Sequence, residues 1–231
     1  MENINVVENI KNVRREISDA AIKSGREAGE ITLVAAAKTK PAAMVRQAIA
    51  AGVDAVGENR VQEMLGKNAQ GAYSGSPLHF IGGIQSNKVN KIVGLCDLIE
   101  TVDSEELVES IGKRALFLGI VQDILIEINI GGEPQKSGVP PDRISDILEF
   151  ASRTGGINVL GLMAVPPVSG KNERNCNFFD AMFNLFIDMS GKKYDNVSMR
   201  FLSMGMSDSY IEAIRSGANM VRIGSAIFGH R

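Results

Sequence analysis

An amine that leaves a buried strand intact can attack a carbonyl, and the stretch ITLVAAAKTKP, residues 31–41, places Lys38 where such a strand stops. Ile31 to Ala37 carry no charge and almost no polarity, and a run of that length bounded by charge and proline suits a strand covered on both faces, as in parallel sheets. Pro41 cannot donate to a ladder but fits the first turn of a helix, and Ala42–Ala51 has helix-forming composition. Thr39–Lys40 is then a short βα loop, and Lys38 stands at a C-terminal strand end, able to form a Schiff base. The plain alternative is a solubilising lysine beside a strand.

The rest of the chain supplies the elements that would position this amine. From Asn3 to about Ala28, Val6, Ile10, Val13, Ile17 and Ala21 recur at helical spacing, an amphipathic helix ahead of the first strand. After the Lys38 unit come a strand at Gly52–Gly57, with Glu58-Asn59-Arg60 opening the helix Val61–Ala69, and a third strand at Leu78–Gly82 with Ser86 as N-cap of the next helix. Asp97–Val102 reads as the fourth strand, with Asp103 or Ser104 capping a helix over Glu105–Leu118. Asp123–Ile130 is the fifth, ending in the glycine-rich loop GGEPQKSG, and the helix Asp142–Arg153 follows. Ile157–Val165 is the sixth strand, stopped by Pro166-Pro167. A polar segment, Ser169–Asn177, leads to a helix whose Phe178, Phe179, Met182, Phe183 and Phe186 read as core. Val197–Ser203 is the seventh, with Ser207-Asp208 capping a helix over Ser209–Ser216, and Gly217–Ile223 is the eighth.

Eight strands alternating with helices over 231 residues, without a composition break, predict a single-domain (β/α)8 TIM barrel, residues 1–231, with an extra N-terminal helix. A doubly wound open sheet is the less economical alternative, since eight strands close a ring and remove both edges. In such a barrel the active end is the C-terminal face, and the loops after strands seven and eight often hold a phosphate. SMGMSDS brings Gly205 and Ser207, and RIGSAIFG brings the amides of Gly224 and Ser225. Each feature alone is common in purely structural loops; their value is that they are consecutive. Barrel closure sets strand eight beside strand one, so Lys38 stands next to this cup. A ligand with a phosphate at one end and an aldehyde a ring's width away meets both, which describes pyridoxal 5′-phosphate (PLP). Arg222 is a candidate partner for the ring nitrogen, with a structural ion pair as its alternative role, and burial beside it would disfavour the charged form of Lys38.

Taken in order, LVAAAKTKP, VGENRVQE, LHFIGGIQSNK, IETVDS, NIGGEPQKSG, LGLMAV and LSMGMSDSYIEAIRSGANMVRIGSAIFG resemble the YggS/PROSC family of pyridoxal phosphate homeostasis proteins, from about Ile31 to Gly229. The resemblance implies an alanine-racemase-type barrel with Lys38 as the aldimine lysine, Ser207, Gly224 and Ser225 around the phosphate, and Arg222 at the ring nitrogen. It also implies Asn59 near the cofactor, in the GEN motif, and puts Lys136 in the KSG loop. The sequence departs from the usual pattern at Ala36-Ala37, at Gly83-Ile84, and at Ser225, where threonine is common and the hydroxyl is kept.

Alanine racemase needs a second, β-rich domain and a tyrosine acid/base, and no such segment follows the barrel in this sequence. Tyr73 reads as lying in a surface loop, Tyr194 at the bottom face and Tyr210 within a helix; His79 starts strand three, at the stability face, and His230 is terminal. No catalytic residue and no metal ligand is therefore assigned. The expectation is a PLP carrier and buffer, a monomer or weak dimer, with PLP-dependent apoenzymes as possible recipients. A weak racemase or transaminase is the alternative. A cofactor-free barrel aldolase would want further carboxylates, for which only Glu58 and Glu133 offer themselves. A net charge of -2 without tryptophan argues against nucleic acid. Two isolated cysteines, Cys96 and Cys176, argue against zinc and for a reducing compartment. With no signal peptide and no membrane-length apolar run, a cytoplasmic protein is expected.

Overall fold

Apolar runs such as Leu33–Ala37, buried at every position, must cover both faces, and here the strands do so by closing into a ring. The computed structural model describes residues 4–166 and 172–229, with backbone alone for 172–176. Its strands are β1 (Thr32–Ala36), β2 (Ala55–Glu58), β3 (Leu78–Phe80), β4 (Leu98–Val102), β5 (Gln122–Glu127), β6 (Ile157–Met163), β7 (Val197–Ser203) and β8 (Met220–Ile223). They pair in sequence order as a closed, parallel barrel, and β8 returns to β1 with Val34 opposite Arg222. The side chains that face outward, such as Leu33, Val56, Ile99 and Val221, join the helices in one large core. A smaller cluster of Val34, Ala55, Leu98, Leu125, Met163 and Met220 fills the interior.

The helices are α1 (Val6–Lys23), α2 (Ala42–Ala50), α3 (Val61–Asn68), α4 (Val89–Ile92), α5 (Glu105–Leu118), α6 (Ile144–Ser152), α7 (Asn172–Ser190), α8 (Tyr210–Arg215) and α9 (Ser225–Phe228). The N-terminal helix buries the stripe its spacing predicts, Val6, Ile10, Val13, Ile17 and Ala21, and packs on α8 and α9. Asn5 caps it by accepting the Glu8 amide at 3.1 Å. It stops at Lys23, short of Ala28, because Gly25 at φ +73° turns the chain away. Among the described residues no helix is long and apolar enough to cross a membrane.

Several local expectations are corrected. Ser86 does not cap: Gln85 holds the cap position, a 3-10 turn occupies Ser86–Lys88, and α4 begins only at Val89. Neither do Ser207 and Asp208, since Ser209 is the N-cap residue of α8. Strand eight starts at Met220 because Gly217, at φ +106°, is still turning. The fifth strand ends at Glu127. On α7, Phe179 and Met182 are core, but Phe183 is 36% exposed, its ring covering Gly217, where a Cβ would come within 2.2 Å. Tyr73 is 7% exposed and so belongs to the core, contrary to its loop composition. The helix expected after Ser169–Asn177 begins inside that segment, since α7 starts at Asn172. Pro167, residues 168–171, the side chain of Cys176 and the terminal His230 lie outside the described residues.

Candidate functional site

β1 ends at Ala36, and the turn that follows is held from both sides. Ala37 donates its amide to Gly57 O at 2.9 Å, and its carbonyl accepts the Lys40 amide at 3.1 Å. Thr39 sits in the left-handed region at φ +63°, a costly conformation for a β-branched residue. Two side chains of α3 meet this turn: Glu63 Oε2 accepts the Thr39 amide at 2.7 Å, and Lys67 Nζ donates to Ala37 O at 2.8 Å. Lys38 lies between those contacts with an exposed side chain, so the burial expected for it is not met. Lys40 reaches the other way, donating to Phe228 O at 2.9 Å and Gly229 O at 3.1 Å.

The loops after β7 and β8 are stitched to one another. Ser207 Oγ accepts the amides of Gly224 and Ala226, each at 3.2 Å, so the Gly224 amide is engaged by a hydroxyl of the neighbouring loop. Gly205 has φ +96°, and a Cβ there would come within 2.6 Å of Ala213; its backbone is approached by α8. A Cβ on Gly224 would meet Ala36 O at 3.3 Å, which keeps the β8 loop against the end of β1.

Arg222 is 5% exposed and fixed by donations to Ser203 Oγ at 2.5 Å and Ala164 O at 2.9 Å. Ser203 in turn donates to Glu100 Oε2 at 2.6 Å, while Glu100 Oε1 lies 2.7 Å from His79 Nδ1. A polar relay, Arg222–Ser203–Glu100–His79, thus crosses the barrel. Burial would raise the Glu100 carboxyl, but the His79 hydrogen bond and the charge of Arg222, 3.6 Å away, hold it below its ordinary range. Burial also lowers the Arg222 guanidinium, against the pull of Glu100 and Glu127. The carboxyl of Glu127 is pushed up to about 7 by burial, with Asp103 adding and Arg222 opposing. His79 is therefore an interior residue bonded toward the site, which corrects its placement at the stability face.

Lys38, Asn59, Ser207, Arg222, Gly224 and Ser225 all line one cavity of about 500 Å³, together with Ile81, Val165 and Met206. Asn59 Oδ1 is buried there with no partner, and Gly82 lets the chain approach, since a Cβ on it would come within 2.2 Å of Asn59 O. Lys136 does not line the cavity; it pairs with Glu133 at 2.6 Å. Glu58 is not at the rim. Its Oε1 accepts from Lys67 at 2.6 Å and Tyr73 OH at 3.1 Å, and burial raises it despite Lys67. None of the three tyrosines lines the cavity; Tyr210 is bound to Glu16. The Glu58–Lys67–Tyr73 cluster and the interior relay escape sequence reading, their signal being single polar residues such as Glu58, Glu100 and Arg222 inside otherwise apolar strands.

The alanine racemase N-terminal domain profile matches residues 8–231. A pyridoxal phosphate homeostasis protein of Aquifex aeolicus is 38% identical over 228 residues, 99% of each chain. Another, from Escherichia coli, is 34% identical over 98% of this chain and 97% of its own. Among solved structures, Synechococcus elongatus PipY with PLP bound gives a TM-score of 0.85 at 28% identity, over 97% of this chain and 100% of PipY. The alanine racemase of Corynebacterium glutamicum shares the fold alone, with a TM-score of 0.69 at 14% identity over 59% of its length. The barrel, its lysine turn and its full-length relatives agree: the chain belongs to the alanine racemase N-terminal domain family, among relatives named pyridoxal phosphate homeostasis proteins.

Proposed function

We propose that this chain is a PLP-binding protein of intracellular PLP homeostasis, which holds the cofactor on Lys38 and releases or hands it on, without racemase activity of its own. The observation that carries this reading is the convergence of Lys38, Arg222 and the Ser207–Ser225 loops on one cavity, in a chain whose relatives are named for that role.

The residues fit the group. Asn59 offers a buried oxygen that lacks a partner, and the loops of β7 and β8 bring hydroxyls and close backbone to one end of the cavity. When bound, PLP supplies an aldehyde that an amine can attack and a ring that can draw electrons from it. Lys38 offers the amine. Ser207 and Ser225 offer the phosphate hydroxyl donors, and the Gly224 amide would join them on exchanging its bond to Ser207 Oγ for a phosphate oxygen. Arg222, held by Ser203 and Ala164, keeps its proton at ordinary pH, so beside the ring nitrogen it would donate a hydrogen bond without giving that proton up. Among the described residues, the ionisable side chains that line the cavity are Lys38, Lys40, Asp208 and Arg222. No tyrosine stands there as a second acid/base, which favours a carrier over a racemase or transaminase. We further propose that the protein works in the cytoplasm as a monomer or weak dimer, with PLP-dependent apoenzymes as recipients. A buried free thiol at Cys96, raised to about 12 by burial, suits a reducing compartment.

The purified protein is expected to be yellow, and borohydride should fix the cofactor onto the peptide that carries Lys38, with Lys38→Ala abolishing the adduct. A preparation that stays colourless with added PLP overturns the proposal. Robust racemisation of any member of an amino-acid panel would replace the carrier with the enzyme.

A further inference from the structure

The turn that presents Lys38 carries an unfavourable backbone and yet is one residue from the amine that matters, so whatever holds it sets the amine's position. Two side chains one helical turn apart on α3 do so. Glu63 takes the amide of Thr39, the residue after Lys38, at 2.7 Å, and Lys67 gives a hydrogen to the carbonyl of Ala37, the residue before it, at 2.8 Å. Spacing of four residues puts both on one face of the helix. Lys67 is 7% exposed, and its charge is balanced by Glu58 at 2.6 Å, which Tyr73 also holds. A buried lysine of this kind needs a structural return, and here its remaining contact is the strand end itself. Glu63 is partly exposed and touches Arg60 at 3.3 Å, an exposed pair of little worth.

We propose that Glu63 and Lys67 are positioning residues for Lys38, a two-point clamp that fixes the Thr39 turn and aims the amine into the cavity. The inference rests on the reading of Lys38 as the cofactor lysine. Fixing the turn in advance removes an ordering cost from cofactor binding, so its loss should appear in affinity.

The test compares Glu63→Ala, Glu63→Gln, the paired change Glu58→Gln with Lys67→Met, and Arg60→Ala, by three measurements: PLP titration of the full chain, hydrogen exchange at the Thr39 amide without PLP, and thermal unfolding. Glu63→Ala should weaken PLP binding about fivefold to tenfold and speed Thr39 exchange at least about tenfold, with Tm nearly unchanged. Glu63→Gln keeps an oxygen acceptor and should restore both to within about twofold. Lys67→Met alone would strand the buried Glu58 charge, which is why the pair is changed together; it too should weaken binding, and Arg60→Ala should not. If Glu63→Ala speeds exchange but binds PLP as the wild type does, or if Glu63→Gln behaves like Glu63→Ala, the clamp does not position the amine. A wild-type protein that stays colourless sinks the underlying function instead, and the inference with it.

Discussion

At the residue scale, the site is made of exceptions to what each residue type ordinarily does. Lys38 was legible because the apolar run before it and the proline after it bracket a strand exit, and both are local signals. Ser207, Gly224 and Ser225 were legible from loop composition, although the hydroxyl of Ser207 turned out to bind the neighbouring loop's amides instead of capping α8. Lys67 and Tyr73 were not, because a lysine on a helix and a tyrosine among glycines and serines both read as solvated until β2 supplies Glu58 to bury them against. Gly82 shows how little space the wall of the cavity has to spare at Asn59. In Gly82→Ala the new methyl would stand 2.2 Å from Asn59 O, so we expect a loss of about 3 kcal/mol in stability by denaturant unfolding, and weaker PLP binding as Asn59 shifts.

Among the elements, existence and order followed from hydrophobic runs, whereas boundaries were set by contacts distant in sequence. Strand eight is three residues shorter than its sequence pattern suggests, because Ala218 and Asn219 look like strand yet serve the turn. Asn219 accepts the Leu202 amide at 2.7 Å and donates to Arg200 O at 2.7 Å. This side chain reinforces a seam where β7 and β8 share a single register pair, Ser203 with Met220. Asn219→Ala should therefore cost about 1–3 kcal/mol, and hydrogen exchange should report it first at Leu202. Because the loops beyond this seam carry Ser207 and Ser225, PLP affinity should fall as well; unchanged exchange at Leu202 would show that the seam holds without the asparagine.

Taken whole, the molecule keeps a polar layer inside its barrel, and that layer makes its stability depend on pH in two opposite senses. The Glu127 carboxyl is raised from 4.5 to about 7, so the folded chain keeps a proton that the unfolded chain releases. Its contribution is present below the unfolded value and is lost as pH rises through about 7. Glu100 is held low by His79 and Arg222, so its contribution is present at neutral pH and is lost on acidification. Glu127→Gln should stabilise the protein by about 1–3 kcal/mol at pH 8 and by almost nothing at pH 5, as measured by urea unfolding. Equal effects at both values would mean that the carboxyl is not held protonated. None of this was visible in the sequence, since the relay joins strands three, four, seven and eight, and its pairing depends on how the ring closes.

The exposed position of the Lys38 side chain also bears on time. On the proposal that Lys38 carries the cofactor, an amine that water reaches is one from which a carbonyl can be taken back by hydrolysis, so occupancy should follow the surrounding cofactor concentration within the residence time of the complex. A sealed active site gains by retaining its prosthetic group for the enzyme's lifetime. An open one behaves as a reservoir, filling when supply is high and draining when it falls.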